Sequence, residues 1–228
     1  MISFCVPFYP WYRSFSREEE IFNVLIPSLN DSEGVEDFEL CIADGGREDI
    51  WDWGRVHDSS EFKARITCAF KGEVKFTDVD QISVRGKYRR WWLAKSINLA
   101  VELSTRSRLF IVGIDVCIPK DFSTRYQSNV GIGKSWVVIA AGLKRVADIP
   151  EFYRGGIPAR WNPAKGIVGI MREDFYSIGG YHADRFIKDH SDSNFYNRMV
   201  EHGFEMKEGR EPGFFHINHP GSHFVAKY

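Results

Sequence analysis

The sequence predicts an α/β fold in which a mixed, mostly parallel sheet is flanked by helices. Three apolar segments that are typical of strands, Ile2–Phe8, Phe38–Ala43 and Leu109–Val112, alternate with stretches of helical spacing. An apolar run without alternation indicates a strand buried on both faces, as the central strands of a parallel sheet are. Strand–helix–strand order favours parallel crossover connections.

Length and composition place the chain among ordinary globular proteins. It has 228 residues, of which 43% are hydrophobic and 27% charged, with a formal net charge of −1. This length suits one large domain, and the absence of a repeat or linker predicts a single domain over residues 1–228. Without a basic excess, nothing demands nucleic acid as a partner. The local basic and aromatic run Arg85–Trp92 leaves an anionic acceptor such as nucleic acid open, although a solvated loop is the simpler interpretation.

Cysteine usage and hydropathy predict the compartment. The four cysteines are scattered without a C-x-x-C pair, and most of them lie in apolar runs where a cysteine acts as a small hydrophobic residue. A reducing environment follows as the simpler reading. The amino-terminal residues lack a basic segment followed by a long apolar stretch, and no apolar run approaches the length of a membrane span. We therefore expect a cytoplasmic protein.

The amino-terminal part of the chain, up to Gly46, is predicted to form a strand, a helix and a second strand. After Ile2–Phe8, Ser16 and Glu19 form a capping-box pattern that predicts the start of a helix. Its apolar face is expected at helical spacing, from Phe22 to Leu29. The second strand, Phe38–Ala43, runs directly into Asp44-Gly45-Gly46.

The spacing of apolar residues, either helical or strand-like, predicts the elements in the rest of the chain. Residues 51–73 and 149–163 read mainly as loops, the first with a short helix. The remaining predicted elements are a strand over Lys75–Val79, a helix over Leu93–Ser104 leading into the Leu109–Val112 strand, a β-rich segment over Trp136–Gly142, a strand over Gly166–Met171, a helical turn over Arg172–Ile178, and a helix over Ser191–His202 that ends at Gly203.

Two carboxylates follow predicted strands, where ligands of open α/β sheets bind. Asp44 is placed to accept hydrogen bonds from a nucleobase or ribose, although for this residue alone a turn aspartate before two glycines is the favoured interpretation. Asp115 follows the Leu109–Val112 strand and is placed to bridge Mg²⁺ or Mn²⁺ to a diphosphate. A strand-end residue that caps the next turn is the alternative. We regard a nucleotide-dependent enzyme as the leading hypothesis.

Histidines and a further aspartate extend this site. His216, His219 and His223 cluster near the carboxyl end of the sequence and are candidate partners of Asp115, because imidazole is a common metal ligand. The alternative is that they bind no metal, as most single histidines do not. Asp192 falls at the start of a predicted helix, where the helix dipole stabilises an ionised carboxylate suited to act as a general base. Plain helix capping by Asp192 is the alternative.

One phosphate-binding motif is disfavoured. Gly133-Lys134-Ser135 matches the end of a P-loop, but Ser128 stands where its first glycine belongs and a strand-like run follows where a helix should begin. Four tryptophans, Trp91, Trp92, Trp136 and Trp161, are candidates for stacking on a sugar ring and equally for the core.

Taken in order, these motifs resemble the GT-A fold of nucleotide-sugar glycosyltransferases. The nearest pattern is the catalytic domain of beta-1,4-galactosyltransferases and the related chondroitin-polymerase-type enzymes. The resemblance covers nearly the whole chain: Val6-Pro7-Phe8 with Arg13 is similar to P-F-R-x-R, Ala94–Asn98 to R-A-K-L-L-N, Gly113–Pro119 to D-V-D-L-I-P, Gly166–Tyr181 to a strand and helix ending in G-G-[FY], Lys188–Met199 to G-W-G-G-E-D-D-D-I-Y-N-R-L, and His216–His219 to M-x-x-H.

The resemblance implies a role for each matching residue. It implies a single GT-A, Rossmann-like domain, with residues 1–112 as the nucleotide-binding half and 113–228 as the metal and acceptor half. Asp115 takes the place of the second, metal-binding aspartate of the family's pair, and Gly113 replaces the first. The implied donor-binding residues are Pro7, Arg13, Asp44, Lys95, Asn98, Gly113 and Asp115; the implied metal ligands are Asp115, His219 and His216; and the implied catalytic base is Asp192.

The implied activity is a metal-dependent, inverting transfer of a sugar from a nucleoside-diphosphate sugar, with a UDP-sugar favoured. The acceptor would be a saccharide or another hydroxyl compound. Two alternatives stay open. A sugar nucleotidyltransferase would carry a glycine-rich phosphate loop near its amino terminus, and Val6–Arg13 contains no glycine. A non-catalytic nucleotide- or sugar-binding module would tolerate Gly113 and Ser191 at positions where the family has carboxylates.

Overall fold

A computed structural model describes residues 1–8, 11–12, 15–16, 18–45, 58–79, 89–143, 164–182 and 191–217. The strands in these ranges are β1 (Ile2–Phe8), β2 (Trp11–Tyr12), β3 (Phe15–Ser16), β4 (Phe38–Asp44), β5 (Glu73–Asp78), β6 (Arg108–Ile111), β7 (Val116–Cys117), β8 (Lys134–Leu143), β9 (Ala164–Met171) and β10 (Glu205–Ile217).

The helices pack on both sides of these strands. They are α1 (Glu18–Glu20), which continues through the π-helical segment Ile21–Leu25 into α2 (Ile26–Asn30), then α3 (Ser59–Ala69), α4 (Arg89–Leu103), α5 (Phe122–Asn129), α6 (Arg172–Ser177) and α7 (Ser191–Glu201); a 3₁₀ turn covers Val35–Asp37. Within the described ranges, no helix has both the length and the apolar character needed to cross a bilayer.

The main sheet has eight strands in the order β5-β4-β1-β6-β9-β8-β10-β7. Strands β5, β4, β1 and β6 are mutually parallel, and β8 and β10 run in the same direction. Only β9 and β7, among the strands described for this sheet, run antiparallel to their neighbours. The predicted mixed, mostly parallel sheet flanked by helices is therefore confirmed.

Alternation along the central strands divides the core between the two faces of the sheet. In β1, Phe4, Val6 and Phe8 face a layer rich in aromatic rings, whereas Cys5 faces the layer that holds α4, α6 and α7. In the first layer, Phe110 and Phe122 lie with ring centroids 4.7 Å apart. Both faces are buried, which explains why these strands carry continuous apolar runs.

The segment before α2 differs from the prediction in two respects. Ser16, predicted to begin the helix, pairs with Trp11 in the β2–β3 hairpin, and α1 begins at Glu18. The helix then widens into a π-helical segment, where Ile26 donates its backbone N–H to the carbonyl of Ile21. Pro27 follows directly; because proline has no N–H to donate one turn back, a regular α-helical ladder is interrupted there.

Candidate active site

The carboxyl ends of the parallel strands bring the predicted site residues to one edge of the sheet. Asp44 ends β4 and is paired in register with Phe8 of β1 and Asp78 of β5. The turn that contains Gly113 and Asp115 follows the end of β6, which is parallel to β1. His216 lies near the carboxyl end of β10. This edge is where open α/β sheets bind ligands.

Asp115 and His216 are in direct contact. The Asp115 Oδ2 atom lies 3.1 Å from His216 Nε2, and both side chains are largely buried. The backbone fixes this approach, because Ile217 donates its N–H to the Asp115 carbonyl at 2.9 Å. The antiparallel pairing of β7 with β10 sets Val116 opposite His216.

This pair has the donor atoms of a divalent-cation site. Carboxylate oxygen suits Mg²⁺ and Mn²⁺, and imidazole nitrogen suits the transition metals. Among the described residues, no group of three or more histidine, cysteine, aspartate or glutamate side chains is arranged to hold a metal. His219, predicted as a ligand, and His223 lie outside the described residues. Asp115 and His216 therefore fit as two ligands of a cation whose other ligands would come from elsewhere.

Asp44 is a buried carboxylate held in a fixed orientation. Only 1% of the residue is exposed, and its Oδ2 atom accepts a hydrogen bond of 2.9 Å from the hydroxyl of Ser59, the first residue of α3. Its own carbonyl accepts the N–H of Val79 at 2.8 Å. Asp58 caps α3 by accepting the N–H groups of the second and third helical residues. The cap orients α3 so that Ser59 reaches Asp44.

Asp192 lies in the first turn of α7, packed over the backbone of β9. A Cβ atom built on Gly166 would lie 3.2 Å from Asp192 Oδ2, and the φ angle of Gly166 is +102°. Because β6 and β9 are antiparallel with Ile111 opposite Val168, Gly166 lies towards the edge of the sheet at which β6 ends. Asp192 therefore belongs to the same edge of the sheet as the Asp115–His216 pair.

Two buried tyrosines lie near the Asp192 carboxylate. Tyr196 accepts the backbone N–H of Gly166 at 2.9 Å. Burial, reinforced by the Asp192 charge, raises the pKa of Tyr196 and of Tyr181. Both hydroxyls are therefore neutral at physiological pH and remain hydrogen-bond donors.

Asn98 and Arg198 hold the loop that follows α6. The Asn98 amide donates to the Tyr181 carbonyl at 2.7 Å and accepts the Tyr181 N–H at 2.9 Å. The Arg198 guanidinium donates to the carbonyls of Ile178 and Gly180. The structure gives Asn98 this anchoring contact, and its predicted part in donor binding stays a prediction. The sequence assigned no role to Arg198, because donation to backbone carbonyls leaves no pattern in the sequence.

The other predicted residues lie in β1, on α4, in the core or outside the described ranges. Pro7 is partly buried in β1 opposite Ala43, and Lys95 is partly exposed on α4. Arg13 lies outside the described residues, as do Trp161 and the side chains of Trp91 and Trp92. Trp136 is fully buried and donates its indole N–H to Glu211 at 3.1 Å, so of its two readings the core is correct.

Gly133-Lys134-Ser135 is not a phosphate loop. Gly133 has a φ of +67° in the turn that leads into β8, and no helix follows. Its N–H donates to the Asp174 carboxylate at 2.8 Å. The strand-like run that follows the motif in the sequence correctly predicted a strand, β8, where a P-loop would require a helix.

Comparison with solved structures identifies the fold. Over all of this chain, it superimposes on residues 1–349 of S. aureus TarS in complex with UDP-GlcNAc with a TM-score of 0.64 at 12% identity, covering 61% of that chain. The UDP complex of the same fragment gives a TM-score of 0.60 at 12% identity over 96% of this chain and 61% of that one. A third TarS structure gives 0.60 at 12% identity over 95% of this chain and only 36% of that one.

The chain has a GT-A-like glycosyltransferase fold. Neither a family model nor a curated protein matches the sequence. At 12% identity the likeness concerns the fold, and the resemblance to beta-1,4-galactosyltransferases stays a prediction. The chain also spans less than two thirds of the TarS structures, so what TarS does beyond this region does not transfer.

Proposed function

We propose that the chain is a metal-dependent, inverting glycosyltransferase that uses a nucleoside-diphosphate sugar. The observation that carries the proposal is the contact between Asp115 and His216, 3.1 Å apart at the carboxyl edge of the sheet. A carboxylate and an imidazole at this edge suit a cation bound to a diphosphate. TarS, which shares the fold, has been crystallised with UDP-GlcNAc and with UDP, and this favours a UDP-sugar as donor.

Asp44 is the proposed recognition group for the nucleoside. Its Oδ2 already accepts from Ser59, but a carboxylate has about four acceptor sites and can receive further hydrogen bonds from a base or a ribose hydroxyl. Charge-assisted hydrogen bonds of this kind are stronger than neutral ones. Arg13, by the family resemblance, would add contacts to the nucleotide.

Asp115 and His216 would hold Mn²⁺ or Mg²⁺, with His219 as a further ligand by resemblance. Such a cation would neutralise the negative charge that develops on the departing nucleoside diphosphate. Asp115 and His216 would also position the donor, since a diphosphate placed between nucleoside and sugar fixes both ends.

Asp192 is the proposed general base. The acceptor hydroxyl oxygen forms a bond to the anomeric carbon while the bond from that carbon to the diphosphate oxygen breaks, and the hydroxyl proton passes to the Asp192 carboxylate. Attack from the side opposite the leaving group inverts the anomeric centre. The position of Asp192 in the first turn of α7 stabilises its ionised form before the reaction.

The acceptor is a saccharide or another compound with a free hydroxyl, including water when no other acceptor is present. The absence of a glycine-rich phosphate loop in Val6–Arg13 disfavours a nucleotidyltransferase. A binding module without catalysis would bind the nucleotide sugar but release no UDP.

Release of UDP from UDP-GlcNAc in the presence of Mn²⁺ tests the proposal. We expect turnover by the wild type and a loss of about 10²-fold or more in Asp192→Asn, because general-base catalysis typically contributes that much. UDP affinity should stay within about twofold, since Asp192 is proposed to contact only the acceptor. Ser193→Ala, at the adjacent position of α7, is the matched control. Full turnover in Asp192→Asn would rule out the base assignment, and UDP binding without any release would favour the binding module.

A further inference from the structure

Gly113 stands against the carboxylate of Asp115. A Cβ atom added at position 113 would lie 2.6 Å from Asp115 Oδ1 and 4.0 Å from a methyl carbon of Val116. Ordinary van der Waals contact for a Cβ lies at 3.4–4 Å. Any side chain at this position would therefore compete with the Asp115 carboxylate for the same space.

The two oxygens of Asp115 have different neighbours. Oδ1 faces position 113, while Oδ2 lies 3.1 Å from His216 Nε2. The main chain of Asp115 is held on the sheet, because its carbonyl accepts the N–H of Ile217 at 2.9 Å. A side chain at 113 would be accommodated most readily by rotating the Asp115 carboxylate, which would take Oδ2 away from His216.

We propose that Gly113 is a positioning residue that makes room for the Asp115 carboxylate beside His216. In the families that this chain resembles, an aspartate stands at this position. Here the space of that side chain is occupied by Asp115 itself, so returning an aspartate to position 113 weakens the site instead of completing it. This inference deepens the proposed function, because it assigns the cation contact to one carboxylate whose orientation depends on a glycine.

Backbone strain does not account for the glycine. Gly113 is not among the glycines with a left-handed φ angle, so alanine is compatible with its main chain. The cost of a side chain at 113 comes from the contact with Asp115. A substitution that removes the Asp115 carboxylate should therefore abolish that cost.

Thermal unfolding in EDTA tests this contact without any metal. We compare the wild type, Gly113→Ala, Asp115→Ala and the double variant, which form a double-mutant cycle. Gly113→Ala should lower the Tm by about 2–4 °C or more in the wild-type background, as overpacking does in a domain of this size. In the Asp115→Ala background it should cause no further loss. An equal loss in both backgrounds, or none in the wild type, would overturn the proposed contact.

Titration with Mn²⁺ alone tests the consequence for the cation. Gly113→Ala and Gly113→Asp should each bind Mn²⁺ about tenfold more weakly or worse, in line with the loss of a group that orients a metal ligand. Gly209→Ala in β10, where an added Cβ meets nothing within 4 Å, should bind as the wild type does. Unchanged or tighter binding by Gly113→Asp would overturn the inference. If the wild type binds no Mn²⁺, the metal dependence in the proposed function fails, and the unfolding cycle still decides whether Gly113 makes room for Asp115.

Discussion

Glu39 is a buried carboxylate on β4, at the end of the sheet opposite the candidate active site. It is fully buried and accepts hydrogen bonds from Ser3, from the ammonium of Lys75, and from both the N–H and the hydroxyl of Thr105, the last two at 2.9 and 2.7 Å. Burial alone would favour the neutral acid, but these donors together outweigh it and lower the pKa of Glu39 from 4.5 to about 2.

The lowered pKa of Glu39 determines how much its ionised carboxylate stabilises the folded protein. A difference of about 2.5 pKa units between the unfolded and folded states corresponds to about 3 kcal/mol of stability at pH 7. This contribution is complete above the unfolded-state pKa and is lost as the pH falls through that value towards 2. Linkage predicts that about 2 kcal/mol of it has gone by pH 3.

The assay is urea unfolding of the wild type and Glu39→Gln at pH 7 and pH 3. We expect the variant to be less stable by about 2–3 kcal/mol at pH 7, and the difference to shrink by about 2 kcal/mol at pH 3. Glu73→Gln is the matched control, because Glu73 also faces Lys75, at 3.4 Å, but is half exposed, so its loss should cost at most about 1 kcal/mol. A difference between wild type and Glu39→Gln that does not change with pH would refute the reasoning.

Two further substitutions separate structural from binding roles. Asn98→Ala leaves the backbone groups of Tyr181 without their partners and should cost about 1–3 kcal/mol in urea unfolding. UDP affinity, measured by calorimetry on the same variant, tests the predicted donor-binding role: a large loss would support it, and affinity within about twofold of the wild type would confine Asn98 to the anchoring contact. Asp44→Asn should weaken UDP binding about tenfold or more, as expected for a charge-assisted hydrogen bond, whereas Asp78→Asn, at the same level of β5, should not. Equal affinity for Asp44→Asn and the wild type would exclude Asp44 from the nucleotide site.

The buried parallel strands were predictable because burial on both faces produces an uninterrupted apolar run in the sequence. Ile2–Phe8 matches β1, and Phe38–Ala43 matches β4 to within one residue. The helix over Leu93–Ser104 was also found, although α4 begins earlier, at Arg89. In these segments local pattern and tertiary environment agree, so periodicity alone is sufficient.

Strand β10 was missed because its sequence carries the opposite signal. Much of Glu205–Gly213 is charged or glycine and partly exposed, and the register shifts between Arg210 and Phe215. A strand of this kind forms because it pairs with β8 over most of its length, and long-range pairing leaves no local pattern. The histidine of the candidate site lies near the end of this strand, so its proximity to Asp115 was predicted from metal-ligand chemistry and from the family resemblance, and not from periodicity.

The anchoring of the loop after α6 could not be read from the sequence either. Asn98 and Arg198 are a hundred residues apart along the chain, and each binds backbone groups of the same short loop. Backbone acceptors have no sequence signature. The anchoring contacts of these two polar residues are therefore visible only in the structure.

Calorimetric titration of UDP, with GDP and dTDP in parallel, tests the central claim most directly. The account predicts binding of UDP in Mn²⁺ and at least about tenfold weaker binding in EDTA or in Asp115→Asn, since loss of a cation or its carboxylate ligand removes the main contact to the diphosphate. Asp31→Asn, an exposed aspartate that pairs with Lys120 at 3.0 Å, should bind as the wild type does. Equal affinity in Mn²⁺ and EDTA, or no binding of any of the three nucleotides, would contradict a cation-dependent nucleotide site at Asp115 and His216.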